Sequence, residues 1–597
     1  MRRAGLLVTI CIVALAAAAL AVRLPALDAR PMHCDEAVQA VKAGHLLETG
    51  EYRYDPYEFH GPTLNYFTLP ALWLSGDETF AESSEAAYRL VPVIFGAAVI
   101  LLLLLVTDGL GRGAAIVAGV LTAVSPAMVF FSRYYIHEML LVFFTFAAIG
   151  CGWRYLRCGA IGRAIAAGAA VGLMHATKET WVLAAAAMVA GLLGCFLWMR
   201  LEQWLTGRGG SATAAPTSDP LVRQLPEPLG RQLYRRPWPI VAAIAAACVL
   251  AVVLYSSFFT HWQGPLDSIL TYETYLHRGG GGNHNQPWDF YFQLFAVRVP
   301  ARGFFWPDAL IAGLAIVGFV VSLLPASVYV CHGRPGRDES LAKSATSATT
   351  NTAETAVAHT SMAVAHLLPR FLAFYMLALM LAYTVLPYKT PWCMLGFLHG
   401  MILLSGVGAA AVVRWLPGWP LKVIACLLVG AGVTHLAWQC CAVNFRFPAD
   451  SDNPYVYVHT TSDTVKLAEQ VDRLAGLADE GRDITIHVVT PDNYWPLPWY
   501  LRKFPRARYW PHEAEDEGQA VDPQAAVESW WDETNGRPQA AVLILTPELP
   551  EHVEDYLAAH YRPQGIRSLR PEVFVNIYIS HALWEELAAA ANSGAQR

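Results

Sequence analysis

Leu6–Val22 reads LLVTICIVALAAAALAV, an unbroken apolar run preceded by Arg2 and Arg3 and followed about ten residues later by His33-Cys34-Asp35-Glu36. The run is long enough to cross a bilayer as a helix. Basic residues ahead of it predict an N-terminus on the inner side. No convincing small-residue cleavage site follows, and Arg23, Pro25 and Asp28 come directly after, so the segment reads as an uncleaved anchor rather than a signal peptide. Asp35 and Glu36 are then expected just beyond the outer face, in a loop reaching to about Tyr88. An acidic pair there reads either as a solvated loop or as the beginning of an active site.

The rest of the chain repeats the apolar theme. Of its 597 residues 55% are hydrophobic and 15% charged, against about 25% charged in an ordinary soluble domain. Apolar stretches predict eleven spans, at roughly 5–22, 90–107, 114–131, 139–155, 164–177, 181–199, 239–258, 304–329, 370–387, 393–413 and 421–438, the fifth of them short. The connections expected inside carry Arg112, then Arg154, Arg157 and Arg163, then Arg200 to Arg236, then Arg334, Arg337 and Lys343, then Arg414. That excess of inner cations agrees with the orientation set by the first span. A net charge of −6 without a basic stripe speaks against nucleic acid as a partner. The eleven cysteines contain no CxxC pair and give no readable disulfide framework.

Three regions differ from this pattern. Segments 200–238 and 331–368 are expected as inner linkers, since both hold stretches rich in small and polar residues with little to bury. Beyond residue 441 the composition becomes that of a soluble domain. Helix-like spacing over 462–480, 523–533 and 550–560 alternates with strand-like runs at 483–489, 540–545 and 572–579. This predicts an extracytoplasmic α/β sandwich with a partly parallel sheet over 441–597, attached to a membrane domain over 1–440 whose outer loop spans 23–89.

Several outer residues have the chemistry to bind an anionic or sugar-bearing ligand. Rings crowd the stretch from Tyr52 to Pro62, which reads as an interfacial belt or, through His60, as a donor to a head group. Arg133, His137 and Glu138 sit in a very short outer connection, where ionisable groups are expected to face a polar cavity rather than lipid. Lys178 in Thr177-Lys178-Glu179 is either half of an internal ion pair or a cation for a lipid phosphate, and Lys389 is the only charge in a proline-bounded outer hairpin. Four glycines, 279–282, stand beside His284 in a loop that could close over a ligand. In the terminal domain the aromatics of 492–500 suit either stacking on sugars or packing against the membrane part.

Taken together, these motifs resemble the GT-C membrane glycosyltransferases, in particular the protein O-mannosyltransferase and aminoarabinose transferase branch. The pattern is closest to the prokaryotic family labelled "flippase activity-associated". The residues that carry the likeness are Asp35-Glu36-Ala37, Tyr54-Asp55-Pro56, His60-Gly61-Pro62, Gly172-Leu173 with Thr177-Lys178, Tyr388-Lys389-Thr390-Pro391-Trp392 and Asn453-Pro454-Tyr455-Val456-Tyr457, within residues 1 to about 460. The resemblance implies an all-helical polytopic fold and an inverting transfer from a polyprenyl-phosphate-linked sugar to an acceptor hydroxyl on a protein, lipid or glycan. It implies Asp35 as general base, Lys178 near the donor phosphate, and Glu138 as the second acid, able with Asp35 to hold a divalent metal ion. Glu36, His60, Arg133, His137, His284 and Lys389 are then expected at the substrate. Cys34 departs from the pattern, which has a non-thiol residue before the aspartate. A transporter for lipid-linked sugars would use the same cations without chemistry, but the internal repeat expected of one is missing from the sequence. An assembly scaffold would not need eleven spans.

Overall fold

The computed structural model describes residues 2–56, 60–205, 237–278, 285–295, 308–325, 352–491, 494–511 and 523–594. The first helix, α1 (Arg2–Arg23), ends where Arg23 turns inward to donate to carbonyls of Ala19 and Thr122. The expected first loop contains two helices, α2 (Cys34–Thr49) and α3 (Thr63–Ser75). α2 begins with a capping box: the His33 ring accepts from the Asp35 amide, and Glu36 reaches back to the His33 amide. It ends at Gly50, whose φ of 70° suits a residue without a side chain.

The membrane part continues with α4 (Glu85–Leu101), α5 (Arg112–Val124), α6 (Pro126–Ser132), α7 (Glu138–Cys158), α8 (Ile161–His175), α9 (Trp181–Leu205) and α10 (Trp238–Tyr255). It is completed by α11 (Gly264–Arg278), α12 (Ala309–Leu323), α13 (Thr352–Val385), α14 (Leu395–Trp415) and α15 (Trp419–Cys441). Among the described residues, eight helices are long and apolar enough to cross a membrane. The pair α5–α6 passes the same test together and would make a ninth if it is one span; it is bent by 58°, because Pro126 cannot continue the hydrogen-bond ladder of the turn before it. α8 and α12 are apolar but shorter. The eleven expected segments are therefore all helical, yet not all are full spans. α8 stops at His175 because Thr177, Lys178 and Glu179 follow, and these turn into the protein rather than continue through lipid. Short helices can still pack closely: a side chain on Gly168 or Gly172 would strike the α10 backbone at Ala243 or Ala247, and one on Gly318 would strike α14 at Leu404.

The terminal part is a five-stranded sheet flanked by helices, as the strand–helix alternation predicts. Its elements are α16 (Ser462–Ala475), β1 (Ile486–Val489), β2 (Ala507–Trp510), α17 (Pro523–Glu533), β3 (Val542–Leu545), α18 (Glu551–His560), β4 (Tyr561–Arg570), β5 (Val573–Ser580) and α19 (His581–Gly594). The strand order is β2-β1-β3-β5-β4, with β2, β1 and β3 parallel and β5 and β4 antiparallel additions. Every residue of β1 and β3 is buried, as expected of parallel strands covered on both faces. Leu467 and Val471 of α16 cover one face; Val527 and Trp530 of α17 with Val553 and Leu557 of α18 cover the other.

The terminal sheet domain rests on the motif end of the bundle. Trp499, 1% exposed, meets Tyr88 and Phe80 at ring separations of 5.4 and 5.7 Å and donates to Glu85. Arg502 stacks over the Trp499 ring and donates to the Ser83 carbonyl. Trp499 is thus a packing residue, which resolves for this side chain the choice between sugar stacking and packing.

Candidate active site

The two acids that open α2 have opposite environments. Asp35 keeps 42% of its side chain exposed. Glu36 is fully buried, and both of its oxygens are saturated. Its Oε1 accepts from Arg89 Nε at 2.8 Å, Arg30 at 3.3 Å and the Tyr135 amide at 2.8 Å. Its Oε2 accepts from Arg89 Nη2 at 2.8 Å and the His33 amide at 3.0 Å. Burial alone would raise the Glu36 pKa, but the charges of Arg89 and Arg30 outweigh it and hold the carboxyl well below the usual range. Glu36 therefore ties α2 to α4 and to the loop after α6. This corrects the expectation that Glu36 contacts substrate: no oxygen lone pair faces outward.

His33 sets the direction of Asp35. Its Nδ1 accepts from the Asp35 amide at 3.1 Å, so the ring proton sits on Nε2 and points to the Tyr457 carbonyl at 3.2 Å. The ring packs among Tyr134, Trp392 and His459, with centroids 5.4 to 5.8 Å away. Trp392 connects this cage to a second charged cluster. It lines a cavity of ≈ 20 Å³ together with Glu138, Thr180, Tyr383 and Cys393, enough for a water and little more.

In that second cluster Glu138 and Lys178 form a salt bridge with both side chains nearly enclosed. Burial lowers the Lys178 pKa, but the Glu138 carboxylate raises it more, so the ammonium stays charged. Next to it, the His60-Gly61-Pro62 corner is fixed on the junction between α8 and α9. Gly61 N–H donates to the Thr177 carbonyl and Thr63 N–H to that of Ala176, both at 3.1 Å, and a side chain on Gly61 would collide with Ala176. The corner holds His60 at a φ of 64°, an uncommon conformation for a residue with a side chain. There its Nδ1 lies 2.8 Å from Glu179, which also accepts from the Tyr54 hydroxyl. His137 stands edge-on to His60 at 5.0 Å and donates Nε2–H to the Gly61 carbonyl. Its Nδ1 is buried with no hydrogen-bond partner among the described residues.

Two expected cations are committed elsewhere. Both terminal nitrogens of Arg133 donate to the carbonyls of Arg23, Pro25 and Ala26 at 2.7 to 2.8 Å, so Arg133 shapes the chain leaving α1 rather than meeting a phosphate. Lys389 is buried and donates to the carbonyls of Leu386 and Gln286, closing its hairpin onto the segment that pairs Asn285 with Tyr388. In both cases the charge is spent on main-chain carbonyls at a chain turn. His284 lies outside the described residues. The donor set for a divalent ion is not assembled: Glu138 is taken by Lys178, and no group of three His, Cys, Asp or Glu side chains able to hold a metal occurs among the described residues. Sequence reasoning missed Arg30, Arg89 and Glu179. Arg89 had a signal, a charge at the mouth of a predicted span, where an ionisable group needs a partner.

Comparison with known proteins gives a family match over part of the chain and a shared fold over most of it. Residues 60–214 match the model of the dolichyl-phosphate-mannose-protein mannosyltransferase family. No curated protein gives a sequence match. Among solved structures, ArnT from Cupriavidus metallidurans bound to undecaprenyl phosphate superposes with a TM-score of 0.56 at 15% identity, over 96% of this chain and 98% of that one. The Archaeoglobus fulgidus oligosaccharyltransferase tethered to an acceptor peptide gives a TM-score of 0.50 at 11% identity, over 90% of this chain and 68% of that one. The architecture is thus the one these membrane enzymes share, and within it residues 60–214 carry the likeness to the mannosyltransferase family model.

Proposed function

We propose that the chain transfers a sugar from a polyprenyl-phosphate-linked donor to an acceptor hydroxyl, with inversion at the anomeric carbon and Asp35 as general base. The observation that carries this reading is the division of labour in the acidic pair. Glu36 is buried and held by two arginines and two amides, while the Asp35 side chain stays 42% exposed at the start of a capped helix. A solvent-accessible carboxylate fixed by its helix can take a proton from a hydroxyl as that oxygen attacks. The new C1–O bond forms on the face opposite the leaving group. The old C1–O bond breaks with its electron pair going to the phosphate, and the acceptor proton ends on Asp35.

The leaving phosphate gains charge and needs a cation. Lys178 supplies it, exchanging part of its bond to Glu138 for the phosphate, while the unpartnered Nδ1 of His137 and the ring of His60 line the same corner. No step is routed through a metal ion. The undecaprenyl phosphate in the ArnT structure supports a lipid-phosphate donor here. The inner cations read from the sequence support a cell-membrane protein with its N-terminus in the cytoplasm and the Asp35 end outside. The division into a membrane domain over 1–440 and an extracytoplasmic domain over 441–597 belongs to the same reading. The test is Asp35→Asn in proteoliposomes supplied with a polyprenyl-phosphate sugar. Turnover should disappear with donor binding kept, and unchanged turnover would overturn the assignment.

A further inference from the structure

Cys34, the residue that departs from the sequence pattern, is the first residue of α2 and the immediate neighbour of Asp35. Its thiol is seated in the terminal sheet domain. The S–H donates to the Trp495 carbonyl at 3.2 Å, and Arg570 Nη1 donates to both Cys34 Sγ and that carbonyl, each at 3.2 Å. Two residues earlier in the loop, the Met32 amide donates to the Tyr500 hydroxyl at 2.8 Å, and the Met32 carbonyl accepts from Thr460 at 2.6 Å. The chain on both sides of the cap is therefore held by the terminal domain as well as by the bundle.

Arg570 is itself rigidly presented. It closes β4, where a register shift between Ser568 and Arg570 breaks the ladder with β5. An irregularity of this kind re-aims the side chain that follows it. The same strand end is anchored to the start of α16: the Leu569 carbonyl accepts from the Thr461 amide at 3.0 Å and the Thr464 hydroxyl at 2.9 Å. Residues 457–460, just before that anchor, carry the contacts to His33 and Met32. One short stretch of chain thus fixes both the cap of α2 and the strand end that reaches its first residue.

We propose that Arg570 is a positioning residue for sugar transfer: by seating Cys34 against Trp495 it fixes the first turn of α2 and hence the direction of the Asp35 carboxylate. The inference rests on the reading of Asp35 as general base. A misplacement of about 1 Å at a reacting group costs on the order of 100-fold in rate, so loss of this seat should lower turnover by about 10- to 100-fold while leaving donor affinity alone. A residue that only stabilised the domain interface would lower the amount of folded enzyme, not the kcat of what remains.

The experiment uses the full-length enzyme in proteoliposomes, with kcat, donor KM and polyprenyl phosphate binding measured per folded molecule. Arg570→Ala is expected to lower kcat about 10-fold or more, with donor KM and polyprenyl phosphate affinity within about twofold of the parent. Arg570→Lys, which keeps one donor for two acceptors, should fall between the two. Cys34→Ala removes the seat from the membrane side and does not depend on the terminal domain folding with a changed strand end. It should reproduce the kcat loss, and the double variant should be no slower than either single one. Unchanged kcat in Arg570→Ala or Cys34→Ala, a loss confined to donor affinity, or strictly additive losses would overturn the proposal. Full transfer by Arg570→Ala beside an inactive Asp35→Asn sinks this inference and leaves the base assignment standing. Full transfer by Asp35→Asn removes both.

Discussion

Replacing Glu36 by Gln should destroy transfer for a different reason than replacing Asp35 by Asn, and the two can be separated by stability. In the Glu36→Gln protein the shape of the side chain is kept but one oxygen becomes an NH₂ group. If that group takes the place of Oε2, it faces Arg89 Nη2 and the His33 amide, both donors, at 2.8 and 3.0 Å. Two buried donors then lose their acceptor, at about 1–3 kcal/mol each. The negative charge that compensated Arg89 and Arg30 is also gone, and breaking a buried ion pair by removing one partner costs about 3–5 kcal/mol. These are two descriptions of one loss rather than a sum, and they agree on about 3–5 kcal/mol. Asp35→Asn changes a side chain that is 42% exposed and should leave stability within about 0.5 kcal/mol. Thermal unfolding in detergent, run beside transfer from a polyprenyl-phosphate sugar, gives both quantities. The expected result is that both variants are inactive and only Glu36→Gln melts early. A Glu36→Gln protein that melts with the parent, or one that keeps full transfer, would refute the claim that Glu36 works through Arg30 and Arg89.

The charged corner makes a related prediction. Lys178→Met strands the nearly enclosed Glu138 carboxylate and should destabilise the protein by about 3–5 kcal/mol; Lys178→Met with Glu138→Leu should recover most of that in a melting experiment. Both should lose polyprenyl phosphate affinity about tenfold, the equivalent of about 1.4 kcal/mol, and retention of affinity by the double variant would show that Lys178 is a structural cation. Trp499→Ala empties the joint between the terminal domain and Tyr88 and Phe80. A cost of about 3–5 kcal/mol at that joint should expose the connection over 442–461 to limited proteolysis while the sheet itself stays protected. His487, buried on β1 as the acceptor for Trp530 Nε1, is pushed down to about 4 by burial, with Arg508 adding to the shift. The folded state thus prefers the neutral ring and the unfolded state binds the proton first. Stability is full above about pH 6.5 and falls as the pH drops toward about 4, by at most ~3 kcal/mol. Hydrogen exchange of β1 and β3 across that window should show the slope, and His487→Gln should flatten it.

The reach of the sequence follows from what burial does to each kind of residue. Apolar runs declare themselves, so the helices of the membrane part, eight of them long enough to cross among the described residues, and the buried strands β1 and β3 could be located from composition alone. β2 and β4 could not. The first, Ala507–Trp510, is a half-exposed edge with arginine in it, and the second carries Pro563, Gly565 and two arginines before its end. Edge strands lose their alternation because one side of their backbone has no neighbour to pack against. The site divides in the same way. Sequence could name Asp35 and Glu36 as a pair but not tell which would be buried, because that depends on Arg30 and Arg89 arriving from a loop and from α4. It could count the candidate cations but not foresee that Arg133 and Lys389 would be used up on main-chain carbonyls. A charge at a helix end looks the same in sequence whether it waits for a ligand or closes a turn. What separates the two is whether a carbonyl lies within reach, and only the fold decides that. The consequence for this chain is that much of the positive charge near the Asp35 end is architecture. Lys178 is the cation whose present partner, the Glu138 carboxylate, has the same chemistry as a departing phosphate. Sharing the ammonium between the two oxyanions, rather than replacing one by the other, would keep both it and the nearly enclosed Glu138 carboxylate compensated.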